Sequence, residues 1–495
     1  MKLVAPLALG LALAACSVGP EYRPAPIAPA AAGQFDAAAR PVFDRDDSPS
    51  TWWRLYDDPV LDALIAEAFV TNTDIRVATA NLRRARAVLR EARGARLPTT
   101  DVSASAQYRR FGGTQSSGAA TGSGGTTGSS GGTGTTNAGT FESETYSAGL
   151  DVGYEIDLFG RVGRLIAAAR ADAQALEAVR DTVRITVAAE TARAYADACS
   201  ASRQLQVARG SLDVQSQTFD LTERLYTAGR GTPLDTARAR AQLETTRATL
   251  PGFVANRQEA LYRLAVLTGA PPSEVSPAAA ACVAPPLLSR PLPVGDGGEL
   301  LKRRPDIREA DRRLAAETAR IGVATADLYP RISIGASVST SALTLGGLGK
   351  SSSIAFGVGP LLSWSFPNFT VVRARIAQAQ ASAEAALATF DDTLLTALQE
   401  TETALATYAG ERDRNDALRS ARDLNREAVR IVRLRYGAGA QSFLDVLDAE
   451  RSLSTADATL AESDALLTTR QIAVFKALGG GWEGQPEPVA PPKLR

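Results

Sequence analysis

Two stretches of this sequence are near copies, about 210 residues apart, of a single turn between long helical patterns. YTAGRGTPLDTARARAQL begins at Tyr226 and YGAGAQSFLDVLDAERSL at Tyr436, placing Gly229 opposite Gly439, Thr232 opposite Ser442, and Leu234-Asp235 opposite Leu444-Asp445. The glycines supply the left-handed backbone that stops one helix, and the hydroxyl residue stands where the next helix needs an N-cap. The chain has therefore duplicated a long helical hairpin together with its tip, and every other segment has to be fitted around the two copies.

Arg161 to Tyr226 contains no proline and keeps an apolar and alanine stripe with Leu176, Val183, Leu205, Leu212 and Phe219, which predicts one helix of roughly 100 Å. The return helix, about Pro233 to Thr268, carries Leu243, Leu250 and Leu264 on a seven-residue grid that Arg257 interrupts. In the second copy Val371 to Tyr436 is the long helix, with Leu387, Leu394, Leu398 and Leu405, and the return grid Leu453, Leu460, Leu467, Val474 is unbroken. Ahead of each hairpin stands a further helical pattern. One opens near Pro59, with Leu61, Leu64, Ile65, Ala68 and Phe69 at spacings of three and four, and stops before Pro98. The other restarts at Glu299 and stops before Pro330. A return helix and the next restart, end to end, match the rise of one long helix and can lie beside an unbroken partner.

Between these helices lie four stretches of alternating pattern. Val102, Ala104, Ala106 and Tyr108 share one face, as do Tyr146, Ala148, Leu150, Val152, Tyr154 and Ile156. Ile332, Ile334, Ala336 and Val338, then Ile354, Phe356, Val358, Leu362, Trp364 and Phe366, repeat the pattern. The expected β-hairpins span 99–158 and 331–366. The Gly/Ser/Thr tract from Gly112 to Thr140 cannot pack a core and reads as the loop of the first. Ten-residue alternating strands fit an outer-membrane barrel. Four cannot close, and an open edge in hydrocarbon leaves backbone groups unpaired, so the chain must oligomerise: two copies give eight strands and three give twelve.

The charges sum to zero, which removes the basic excess that nucleic acid would require. There is no histidine, methionine occurs only at Met1, and the cysteines are Cys16, Cys199 and Cys282, so no metal site, cofactor site or catalytic constellation is expected. Residues 1–15 read as a signal peptide whose apolar run is too short to span as a mature helix. Leu13-Ala14-Ala15-Cys16 resembles the bacterial lipobox, making Cys16 the first mature residue and the carrier of acyl chains, palmitate among them; Ser17 in place of Asp favours the outer membrane. Residues 16–50 form an extended strap, 51–268 the first repeat, 269–298 a proline-rich linker or small irregular subdomain, 299–478 the second repeat and 479–495 a polar tail. An oxidising compartment would allow Cys199 and Cys282 to bridge, but the preferred reading is two small buried thiols. Trp52-Trp53 is read as packing, and charged runs such as RDTVR as solvated helix faces.

WWRLYDDPVLDALIAEAFVTNTDI, YEIDLFGRVGRLIAAARAD, LLKRRPDIREADRRLAAETARIGVATADLYPRISI and YGAGAQSFLDVLDAERSL resemble the segments that mark outer-membrane efflux lipoproteins of the TolC/OprM superfamily, in its NodT-like branch. The resemblance implies a mainly α fold with a small antiparallel β part, and a homotrimer whose strands complete a twelve-stranded barrel in outer-membrane lipid. It also implies a helical duct that meets a periplasmic adaptor and an inner-membrane pump of the resistance-nodulation-division class. By the same resemblance both tips dock the adaptor through Tyr226, Gly229, Thr232, Leu234, Gly439 and Ser442. Leu444, Asp445 and Asp448 line the narrowest point, and Asp235 pairs with Tyr436 to hold it closed. Gln441 and Leu234 depart from the family's second closing contact. From the residues alone, acids in a first helical turn also serve as dipole complements, and Gly, Ser/Thr and Asp are ordinary turn chemistry. Competing readings are a type I secretion conduit and a non-conducting envelope lipoprotein; the alternating strands count against the second.

Overall fold

The computed structural model describes residues 18–112, 140–288, 290–366 and 368–488. The signal segment with Cys16, the Gly/Ser/Thr tract over 113–139 and the end of the tail, 489–495, lie outside them. In chain order the principal elements are β1 (Phe43–Asp44), α1 (Pro59–Thr71), α2 (Thr73–Gly94), β2 (Thr99–Gly112), β3 (Thr140–Ile156), α3 (Arg161–Thr227), α4 (Pro233–Leu267), α5 (Pro277–Ala280), β4 (Leu292–Pro293), α6 (Gly297–Arg303), α7 (Pro305–Ala326), β5 (Arg331–Ala342), β6 (Ile354–Ser363), α8 (Phe369–Gly437) and α9 (Phe443–Ala477). They divide into two compact units, Met1–Glu21 with Leu89–Ala167 and Ala319–Ala379, and Tyr22–Val88 with Ala168–Thr318 and Gln380–Arg495.

The first unit is built on an antiparallel sheet of order β2-β3-β5-β6. Its register puts Val102, Leu150, Val338 and Phe356 on one rung and Thr100, Val152, Ala336 and Val358 two rungs away, so the apolar residues of all four strands share one face. The intervening rungs, such as Ser103-Gly149-Ser339-Ala355 and Asp101-Asp151-Ser337-Gly357, give the other face small and polar residues. Aromatic rings stand at each end of the sheet. Tyr108 and Tyr146 precede the Arg110–Glu142 ion pair at one end (3.5 Å), and at the other Phe159 stacks on Tyr329 (ring centroids 4.6 Å). β6 stops at Ser363, so Trp364 and Phe366 do not continue the alternation. The chain must leave the sheet to start α8 at Phe369, and the two rings pack on each other (5.1 Å) and Phe366 on Phe369 (5.6 Å) instead. Asp157 caps α3, accepting from the Val162 and Gly163 amides (2.9 and 2.6 Å). The strap joins the same junction, where the Val18 amide donates to the Phe159 carbonyl, and Gly19, at φ +89°, lies so close to Gly322 that a Cβ would meet its Cα at 2.5 Å.

In the second unit the helices pack around Trp52 and Trp53, 1% and 3% exposed; Trp52 stacks on Phe475 (5.1 Å) and Trp53 Nε1 donates to Asp62 (2.9 Å). Two helices expected as continuous are broken. The first divides at Asn72 and the restart at Arg304, equivalent positions of the two repeats. Asn72 accepts the Asp74 and Ile75 amides, capping α2, and donates to the Leu267 carbonyl at the end of α4 (2.9 Å). Arg304 donates to the Ala477 carbonyl at the end of α9 (2.9 Å), with Asp306 and Glu400 neutralising it. Each break thus supplies a donor to the orphan carbonyls of a return helix. Periodicity does not register this, because the apolar stripe runs through both breaks.

Two further expectations are corrected. Cys199 and Cys282 form a disulfide that ties α3 to the segment after α5. Beside it Arg257 donates to Ser202 Oγ (2.9 Å) and to the Ala280 carbonyl, which is why the leucine grid is interrupted there. RDTVR is no solvated face, since Arg180, Asp181 and Arg184 are all buried. The tail closes over them: Arg184 donates to the Pro486 carbonyl (3.1 Å), and Trp482 lies under Arg308, which pairs with Asp181. The 269–298 stretch holds α5 and β4, and β4 pairs in parallel with β1 of the strap.

Candidate functional site

Both tips are built alike. At the first, Gly229 adopts φ +70°, and the Gly229 and Arg230 amides return to the Tyr226 and Leu225 carbonyls (2.9 and 2.8 Å). At the second, Gly439 adopts φ +74°, and the Gly439 and Ala440 amides return to Tyr436 and Arg435 (both 2.9 Å). Thr232 and Ser442 then cap α4 and α9 by accepting the Asp235 and Asp445 amides, and Asp445 completes a capping box by accepting the Ser442 amide (3.1 Å).

Four of the expected functional side chains face outward or stand at the turn. Leu234, Leu444 and Tyr226 are exposed, 56%, 53% and 48%, and Asp448 is exposed with no hydrogen bond or ion pair among the described residues. Asp445 is engaged in its cap, and its hydrogen bonds from Ser442 hold the carboxyl below the usual aspartate range. The structure does not join Asp235 to Tyr436 within one chain. Asp235 takes the Thr232 hydroxyl (2.7 Å), and the Tyr436 ring packs on Phe443 (6.0 Å).

Above the second tip lies a feature that sequence reasoning missed. Arg433, Arg426 and Arg419 recur every seven residues on α8 and meet Glu450, Asp457 and Asp464, spaced alike on α9, at 2.7, 3.6 and 3.9 Å. The acids occupy the second position of the α9 heptad beside Val446, Leu453, Leu460 and Leu467, so attention to the leucines alone hid them. Glu450 is 4% exposed and also accepts the Thr218 hydroxyl of α3 (3.0 Å).

A family model described as "Outer membrane efflux protein" matches residues 64–270 and 297–480. The chain is 32% identical over 484 residues to the outer membrane protein OprJ of Pseudomonas aeruginosa, covering 97% of this chain and 96% of that one. It is 29% identical over 479 residues to the cation efflux system protein CusC of Escherichia coli K12, covering 96% and 98%. Its structure resembles that of the outer-membrane channel OprN with a TM-score of 0.85 at 36% identity, over 95% of this chain and all of that one.

Proposed function

This chain belongs to the outer membrane efflux protein family and is a non-enzymatic outer-membrane duct of a tripartite efflux system, and we propose the following account of how it works. Three copies close a twelve-stranded barrel. The observation that carries this is the sheet itself, with one apolar face between aromatic ends and two strands, β2 and β6, paired on one side only. Cys16 carries the lipid anchor. Val18, two residues on, is hydrogen-bonded at the aromatic end of β3, where an acyl chain would meet the membrane surface.

The two tips dock the periplasmic adaptor, and the pump beyond it is of the resistance-nodulation-division class. Leu444 and the carboxylates of Asp445 and Asp448, repeated by threefold symmetry, form the constriction, an apolar ring beside acidic ones that favours cations. Asp235 and Tyr436 meet only between neighbouring copies or in another state of the mouth. The decisive experiment is to purify the full chain from membranes and place it in planar bilayers. A heat-labile trimer giving voltage-independent, cation-preferring pores is expected, with that preference reduced in Asp445→Ala/Asp448→Ala; a monomer without conductance would refute the account.

A further inference from the structure

Of the three rungs that join α8 to α9, the one nearest the tip differs in kind from the others. The Asp457 and Asp464 side chains are 26% and 22% exposed, whereas that of Glu450 is 2% exposed. Arg433 reaches it with Nε and Nη2 (3.0 and 2.7 Å), and Thr218 donates to it from the other hairpin (3.0 Å). Four residues along, Ser454 bonds Ser211 of α3 (3.1 Å), so the same seam continues away from the tip. The duplicated first hairpin has no such rung. Glu223 and Arg240 stand at the matching positions, charges exchanged, and both are exposed with no ion pair between them among the described residues.

We propose that Glu450 is a positioning residue for the constriction; the inference rests on the reading of Leu444, Asp445 and Asp448 given above. Residues two apart on a helix point about 200° away from each other, so a Glu450 held inward turns Asp448 outward. Val446, 5% exposed, favours the same rotation, but an apolar side chain stays buried without help. A carboxylate stays buried only while cation and donor are both in place, and loses that position when one is removed. The Arg433–Glu450–Thr218 junction is therefore what can release the rotation of α9 and with it the width of the constriction.

The test uses the full chain in planar bilayers. Arg433→Met leaves the carboxylate buried without its cation, and mean single-channel conductance should rise about twofold or more. Arg433→Met/Glu450→Gln, whose neutral amide still accepts from Thr218, should return to near the wild-type value. Arg426→Met, at the more exposed middle rung, should leave conductance unchanged. Heat-labile oligomer on gels checks assembly of every variant. If Arg433→Met conducts like wild type while Asp448→Ala alters conductance in parallel, the positioning role is wrong and the constriction stands. A double variant as open as Arg433→Met alone would equally overturn it, because the unpaired charge would then not be the cause. If Asp448→Ala is also silent, the constriction itself is misplaced and the role of Glu450 falls with it.

Discussion

Asn72 and Arg304 do the same work with different chemistry, and the difference sets what each would cost to remove. Asn72→Ala loses the cap of α2 and leaves the Leu267 carbonyl without its donor, a loss of about 2 kcal/mol. Arg304→Ala removes a buried cation from Asp306 and Glu400 and strips the Ala477 carbonyl as well, about 3–5 kcal/mol. Urea titration of the detergent-solubilised protein, read by helical circular dichroism, should rank Arg304→Ala below Asn72→Ala; the reverse order would mean that the arginine cluster is solvated. Asp445 offers a test by pH. Its folded pKa is depressed by Ser442, so its charge, and the stability that charge lends the cap, are present above the ordinary aspartate value and lost only as pH falls through the lower folded one. In Asp448→Ala channels, the part of the cation preference that Asp445→Ala abolishes should survive acidification to about pH 3.9. Reversal potentials taken across a pH series measure it.

At the scale of elements, the strands were legible because their environment imposes one rule on every second residue. Val338 and Ser337 are neighbours in β5 on opposite faces. Val338→Arg should cost about 2–4 kcal/mol and reduce the heat-labile oligomer, whereas Ser337→Arg, beside Asp151 on the polar face, should assemble and shift ion selectivity. Equal assembly of the two would mean that the faces are misassigned. The long helices and both tips were legible too, since a seven-residue grid and a glycine followed by a capping hydroxyl are local signals. What could not be read is whatever depends on a partner distant in sequence. RDTVR looks like any solvated helix face until the tail is seen to cover it, and Arg257 looks like a flaw until Ala280 is found beside it. The disulfide belongs to the same class, because spacing alone does not bring Cys199 to Cys282. Cys282→Ser should cost about 2–4 kcal/mol and expose the segment after α5 to proteolysis, checked by mass mapping of the fragments; unchanged fragments would show that Arg257 and the packing suffice to hold that segment.

For the whole molecule, the number and direction of strands decide how copies can join. β2 and β6 run antiparallel to one another, because an even number of antiparallel strands separates the two ends of the series. A rotation about the barrel axis can therefore bring β6 of one copy beside β2 of the next with antiparallel pairing preserved at every seam. Two copies and three satisfy this equally. The inner face separates them, since eight strands leave an interior only wide enough for side chains to fill, whereas a conduit needs the larger circumference that twelve provide. A photo-crosslinking residue at Gln107 in β2 should capture the β6 peptide of another copy, and exhaustive crosslinking in membranes should stop at three times the mass of the chain. Capture of β2 by β2 would demand a two-fold axis across the sheet, and a series ending at two copies would leave a barrel too narrow to pass a solute.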